Sequence, residues 1–244
     1  MTQELDFIIA DLVAANRILS AENVVDAYGH VSARHPHDPT RFLLSRARAP
    51  ECIEAGDIME FTLEGEAVEA RGRQPYLERF IHGALYEARP DVHSVVHNHS
   101  HNVIPFGITG TKLRPVMHTC AFIGHEVPIW DTQVKFGDTN MLVSDMAMGR
   151  DLARGVGDNP TALMRGHGCV AVAPSIREAV SIAVYLNVNA ELQMKAAALG
   201  EITFLSRGEI DKVTGGARRY VGVERAWEYW CLRAGVPYRR WQEP

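Results

Sequence analysis

Apolar residues recur every three to four positions near the start of the chain: Leu5, Ile8, Ile9, Leu12, Val13 and Leu19, with Asn16 on the same stripe. That spacing predicts a helix over residues 3–20. The pattern then changes. The segment Val24 to Arg34 reads as a turn at Gly29 entering a strand through His30, Val31, Ser32 and Ala33. Arg41–Ser45 and Asp57–Leu63 read as short strands, the second closed by Glu64-Gly65. Residues 75–88 read as a helix with Pro75 in its first turn. Asp91 to His99 carries three valines and reads as a strand. Residues 115–130 and 161–173 supply further strand material. Ser175 and Glu178 stand at capping-box spacing before a long helix to about Leu199. A last helix is predicted over 223–234, with Trp227 and Trp230. Helices and strands mix throughout, without a linker or repeat, so residues 1–244 read as a single α/β domain. The Met117–Asn140 stretch holds Gly and Pro with little periodicity, which predicts functional loops.

Composition narrows the function classes. A chain of 244 residues with 46% hydrophobic and 23% charged residues can bury a sizeable core. The net charge of -5 gives no general nucleic-acid or anionic-membrane surface. No apolar run approaches the ~20 residues of a membrane span. The acidic N-terminus does not read as a secretory peptide. Cys52, Cys120, Cys169 and Cys231 form no C-x-x-C pair, and such scattered thiols suggest a reducing cytoplasm. There is no G-x-G-x-x-G, P-loop, G-x-S-x-G or H-E-x-x-H motif. Of 25 basic residues only Lys112, Lys135, Lys195 and Lys212 are lysine, leaving 21 arginines and nothing that prompts Schiff-base chemistry.

The 11 histidines are the lead to follow, and seven of them lie between His82 and His125. The densest run is His97-Asn98-His99-Ser100-His101. On a strand, residues two apart share a face at ~6.5–7 Å, so two imidazoles there can converge on one cation. His101 shares that parity but lies beyond the pair. His35 and His37 sit among Pro and Asp and read as a surface loop. A third ligand could come from Arg165-Gly166-His167-Gly168, where flanking glycines permit close approach. The other reading of His167 is a hydrogen-bonded core histidine. Three neutral imidazoles with an open position make a catalytic rather than a structural site. Glu78 lies one helical turn before His82. It reads either as a solvated carboxylate or as a general acid/base beside a metal.

The ordered motifs Tyr28-Gly29-His30-Val31-Ser32, Glu78 to His82, Arg89-Pro90-Asp91-Val92, His97-Asn98-His99-Ser100 and Arg165-Gly166-His167-Gly168, followed by Pro174 to Ala179, carry a resemblance. Over residues 5–205 the chain resembles the class II aldolase/adducin family. The resemblance implies a three-layer α/β/α sandwich around a central, mainly antiparallel sheet. It implies His97, His99 and His167 as ligands of a divalent metal, Mn2+ or Zn2+, and Glu78 as the proton-transfer group. It also implies a homotetramer with active sites at subunit interfaces. The 223–234 helix and Tyr220, Trp227, Trp230 and Trp241 would then either close a neighbour's site or simply pack.

The chain also departs from the sugar-phosphate aldolases of that family. Tyr76 and Leu77 replace a serine pair before the acidic residue, and Leu44-Ser45-Arg46-Ala47-Arg48 replaces a phosphate-binding loop. His30 replaces an Asn. Guanidinium forks suit planar carboxylates. The pattern resembles the decarboxylase branch, which implies a small-molecule aromatic carboxylate substrate. Examples are 3-hydroxy-2-methylpyridine-4,5-dicarboxylate, an acid of vitamin B6 breakdown, or a hydroxyphthalate-like acid. His30, Ser45, Arg46 and Tyr76 are then expected to bind the substrate, with His118 either a further proton carrier or a core or loop histidine. The alternatives are an aldolase acting on a non-phosphorylated hydroxy-carbonyl compound, and a non-catalytic adducin-like binding protein. The latter predicts loss of the histidine triad, which is kept here.

Overall fold

The computed structural model describes residues 3–215 and 219–240. Helix α1 (Gln3–Ala21) is followed by strands β1 (His30–His35), β2 (Asp38–Ser45) and β3 (Ile58–Thr62). Next come α2 (Arg79–Ala88), β4 (Ser94–Asn98) and the short α3 (Ile104–Gly107). Strand β5 (Ile129–Trp130), α4 (Gln133–Phe136) and α5 (Met146–Val156) lead to the hairpin of β6 (Thr161–Met164) and β7 (Gly168–Ala173). Helices α6 (Ile176–Leu199), α7 (Arg207–Thr214) and α8 (Arg219–Arg233) follow. The seven strands form one sheet in the order β3-β2-β1-β4-β7-β6-β5. Every pairing is antiparallel except β5 with β6.

The two-residue period of the strands feeds two separate cores, because alternate side chains point to opposite faces. Val31, Ala33, Leu43, Val96 and Ala171 pack with Leu12 and Ile18 of α1, Val180 and Ala183 of α6 and Trp227 of α8. Phe42, Leu44, Val95, Val170 and Val172 pack with Ile81 and Leu85 of α2 and with Leu152 and Val156 of α5. The architecture is therefore the expected α/β/α sandwich with a mainly antiparallel sheet. His30 and Ser32 on β1, and His97 on β4, share parity with the α2 face.

Several expected boundaries shift, for identifiable reasons. The helix expected from Pro75 begins at Arg79. The preceding residues stay extended because Pro75 bridges Arg46 and the Ala47 amide donates to Gln74 O at 2.7 Å. Residues 115–130 give only the two residues of β5 and a 3-10 turn over His118–Ile123. Where the chain enters this stretch, over residues 112–116, buried amides of α6 take the place of a strand partner: Asn189 bonds Arg114 O and the Val116 amide, and Gln193 bonds Lys112 O and the Arg114 amide. Helix α5 falls in a stretch not read as helical. Asp145 caps it by accepting from the Met148 amide at 2.9 Å, and Leu152 and Val156 face the core. Trp227 and Trp230 of α8 are buried in their own chain, Trp230 against Tyr185. The Tyr220 side chain and Trp241 lie outside the described residues. No helix among the described residues is long and apolar enough to cross a membrane.

Helix α2 reaches the sheet only because Gly83 lacks a side chain: a Cβ there would lie 2.0 Å from Leu63 O. Gly83→Ala is expected to lower stability by about 1–3 kcal/mol through overpacking. A fall in the urea midpoint checks this, and an unchanged midpoint would show that the contact relaxes freely.

Candidate metal centre

His97 is the penultimate residue of β4, and its Cα pairs with His30 on one side and Val170 on the other. His99 lies one residue beyond the strand, not within it as expected. His167 sits in the β6–β7 turn, where its amide donates to Met164 O at 3.0 Å. Gly166 holds the turn at φ 67°, a left-handed conformation that glycine adopts without strain. A Cβ at Gly168 would lie 2.1 Å from Asn98 O, so only glycine lets β7 approach the end of β4 this closely. Glu78 is the N-cap residue of α2 rather than part of its body.

These four residues converge, with one ligand atom from each lying within 4.8 Å of the others. His97 Nε2 is 3.1 Å from His99 Nε2 and 3.6 Å from Glu78 Oε2, and His167 Nε2 is 3.5 Å from the same oxygen. The second carboxylate oxygen, Oε1, accepts from the Val143 amide at 3.0 Å, which fixes its orientation. Burial raises the Glu78 carboxyl, yet hydrogen bonds and positive charge from His167 and His97 outweigh it and hold the group well below the usual carboxylate range. Burial, followed by His97 and His167, pushes His99 down to about 4.

The donor set fits a divalent cation. His97 Nδ1–H donates to Cys169 O at 3.1 Å, so in the neutral ring the Nε2 lone pair turns into the cluster. His167 is partly buried, and beyond the 3.5 Å approach of Nε2 to Glu78 its buried ring nitrogens have no hydrogen-bond partner. Imidazole lone pairs facing one another and a carboxylate repel unless positive charge is shared among them. A divalent cation satisfies all of them without protonating a ring.

Around this centre, His30 lies against His97 with ring centroids 5.0 Å apart and against Tyr76 at 4.6 Å. Tyr28 stacks over His99 at 6.2 Å. The Tyr76 hydroxyl donates to Arg48 O, and buried Ser45 lies beside it at the end of β2. Arg46 is not a free cation: its Nε donates to Asp57 Oδ1 at 2.5 Å, while Arg48 donates to Oδ2 at 2.7 Å. Glu54 also lies 3.8 Å from Arg48, so two carboxylates balance the two guanidiniums, and the Arg46 side chain remains 38% exposed. His101 and His118 are exposed and stand outside the cluster.

The Class II Aldolase and Adducin N-terminal domain family matches residues 10–194. The chain belongs to the class II aldolase/adducin family. Among its relatives, decarboxylase tropJ of Talaromyces stipitatus is 34% identical, with 91% of this chain and 92% of that protein aligned. The 3,4-dihydroxyphthalate decarboxylase of Arthrobacter keyseri is 28% identical, with 78% of each aligned. The fold is shared with an aldolase II superfamily protein from Pseudomonas syringae, at a TM-score of 0.78 and 22% identity over 96% of this chain and 94% of that one.

Sequence reasoning missed Asp57, the Val143 amide and the side chains behind His30. Asp57 carried no motif. His82 and Tyr86, however, stand four apart on α2 and opposite His30 and Ser32 on β1, a spacing that could have paired them.

Asp57 makes the arginine clamp acid-sensitive. Burial raises its carboxyl, but the bonds from Arg46 and Arg48 outweigh that and lower it from 3.8 to about 2. Because the folded-state value is depressed, the stabilisation is full above about pH 4 and is lost as pH falls towards about 2. Urea midpoints measured across that range should drop more steeply for wild type than for Asp57→Asn. Parallel curves would remove the clamp from the account.

Proposed function

We propose that this protein is a metal-dependent decarboxylase of a hydroxylated aromatic or pyridine dicarboxylate. The observation that carries the reading is the adjacency of two features. An imidazole and carboxylate centre stands beside a wall formed by Tyr76 and His30, backed by the Arg46–Asp57–Arg48 clamp. A planar anionic ring fits that wall, and its carboxylate fits the outer edge of Arg46. The names of the decarboxylase relatives support the same reaction class. A hydroxyphthalate-like acid and 3-hydroxy-2-methylpyridine-4,5-dicarboxylate both have the required hydroxyl and neighbouring carboxylates.

His97, His99 and His167 would hold a divalent cation, Mn2+ or Zn2+, both compatible with imidazole ligands. When bound, such a cation supplies an electrophile that draws negative charge onto a ring oxygen. Glu78, ionised at rest, accepts the proton of the ring hydroxyl through its free oxygen while the Val143 amide holds the other. The bond to the departing carboxylate breaks, carbon dioxide leaves, and the electron pair stays on the ring. Glu78 returns its proton to that ring carbon, and solvent reprotonates the hydroxyl on release. Arg46, with Ser45 and His30, holds the carboxylate that remains. Exposed apolar side chains around the mouth, Tyr28, Leu77 and Ile108, suit a homotetramer whose sites lie at subunit interfaces, with α8 as a further contact.

A metal-reconstituted screen of hydroxy-aromatic dicarboxylates should release carbon dioxide from at least one. Release of an aldehyde from a hydroxy-carbonyl compound instead, or full activity after complete metal removal, overturns the reading. Glu78→Gln should retain metal by elemental analysis and lose turnover by about a hundred- to ten-thousandfold. Arg46→Met should raise KM by about tenfold or more while kcat changes less.

A further inference from the structure

Behind His30 a row of buried side chains runs from β1 into α2. Tyr86 Oη is 2.7 Å from Ser32 Oγ, Ser32 Oγ is 2.6 Å from His82 Nδ1, and His82 Nε2 is 2.6 Å from His30 Nδ1. All four side chains are buried. We propose that Tyr86, Ser32 and His82 form a one-way hydrogen-bond chain that fixes His30 with its proton on Nε2, so that His30 meets the substrate as an N–H donor and not as a base.

The direction follows from proton accounting. Ser32 Oγ has one proton and only Tyr86 Oη and His82 Nδ1 as side-chain partners, so each link can point one of two ways and, unless the serine proton is left unbonded, each choice dictates the next. If Tyr86 donates to Ser32, then Ser32 donates to His82 Nδ1 and His82 Nε2–H donates to His30 Nδ1. His30 must then carry its proton on Nε2. If every link is reversed, His30 Nδ1–H donates to His82, His82 Nδ1–H donates to Ser32, and Ser32 donates to Tyr86. The phenol proton is then left without an acceptor among the described residues. A buried hydroxyl proton with no acceptor is strongly disfavoured. Tyr86 does not escape by ionising, because burial pushes its phenol up. The two buried hydroxyl protons, of Tyr86 and Ser32, therefore set the polarity of the whole row.

The outcome is specific to the place where the row ends. The His30 ring stands between Tyr76 and His97, and with Nδ1 occupied, Nε2 is its remaining polar atom. An N–H there selects an anionic or carbonyl oxygen and rejects a second donor. Ser32, His82 and Tyr86 are positioning residues that act through His30. That the oxygen belongs to a ring carboxylate rests on the decarboxylase reading; the tautomer does not.

Neutron diffraction from deuterium-exchanged crystals of the metal-loaded protein tests the assignment without substrate. Deuterium is expected on Nε2 of both His30 and His82, and on Tyr86 Oη towards Ser32. Deuterium on Nδ1 of either histidine overturns the proposal. In Ser32→Ala the row is cut between Tyr86 and His82, so His30 should show deuterium divided between its two nitrogens, and a map unchanged from wild type overturns the role of the row. For an accepted dicarboxylate, Ser32→Ala should raise KM about tenfold with metal content unchanged, and an unchanged KM removes the positioning role. If the wild-type tautomers are as expected but no dicarboxylate is decarboxylated, the substrate reading fails while the chain stands.

Discussion

The three imidazoles meet because the backbone of Gly168 presses against the carbonyl of Asn98. That close approach draws the β6–β7 turn over the end of β4 and brings His167 to within a ring contact of both His97 and His99, at 5.0 and 4.8 Å between centroids. The same backbone segment supplies Cys169 O, which receives the His97 Nδ1 proton and turns the opposite nitrogen inward. A side chain at position 168 would wedge the two strands apart and separate one ligand from the others. The centre is thus a property of strand packing before it is a property of its side chains.

The rest of the polar apparatus lies on one face of the sheet, between the strands and α2. His30, Ser32 and Arg34 alternate along β1 on that face, while Val31 and Ala33 serve the opposite core. Placing so many polar groups in a closed layer costs free energy unless each has a partner. Arg34 meets that demand by donating to the carbonyls of Val92, Pro39, Tyr86 and Arg89. The His82 and Tyr86 side chains meet it by bonding to His30 and Ser32. The apolar neighbours, Phe42 above all, exclude water from this layer, so its hydrogen bonds act at low local dielectric. Rigidity at the site follows from satisfaction of the layer behind it.

The cationic side of the cleft is built differently. Asp57 lies at the entrance to β3 and takes one bond from each of Arg46 and Arg48. This arrangement holds two guanidiniums close together near Tyr76, which like-charge repulsion would otherwise spread. It also orients Arg46 by its Nε, leaving the exposed part of the fork to meet an anion.

Local patterns in the chain were enough to set much of this protein. The stripe from Leu5 to Leu19, the alternation in β1 and β4, and the cap at Ser175 specify their elements because each depends on neighbours a few residues away. The histidine pair and the glycine-flanked His167 were legible as candidate ligands for the same reason: spacing on a strand and freedom of the backbone are local properties. Three things needed tertiary structure. The chain entering residues 115–130 runs along α6 instead of pairing in the sheet, because Asn189 and Gln193, more than 70 residues away, bond the backbone of Lys112, Arg114 and Val116. Arg46 was turned by Asp57, and His30 was joined directly to His82 across 52 positions of chain, and through His82 and Ser32 to Tyr86. Which residue types are present is a matter of sequence. Which lone pair faces which proton is decided only when distant segments are buried together, because only then does an unpaired polar atom become costly.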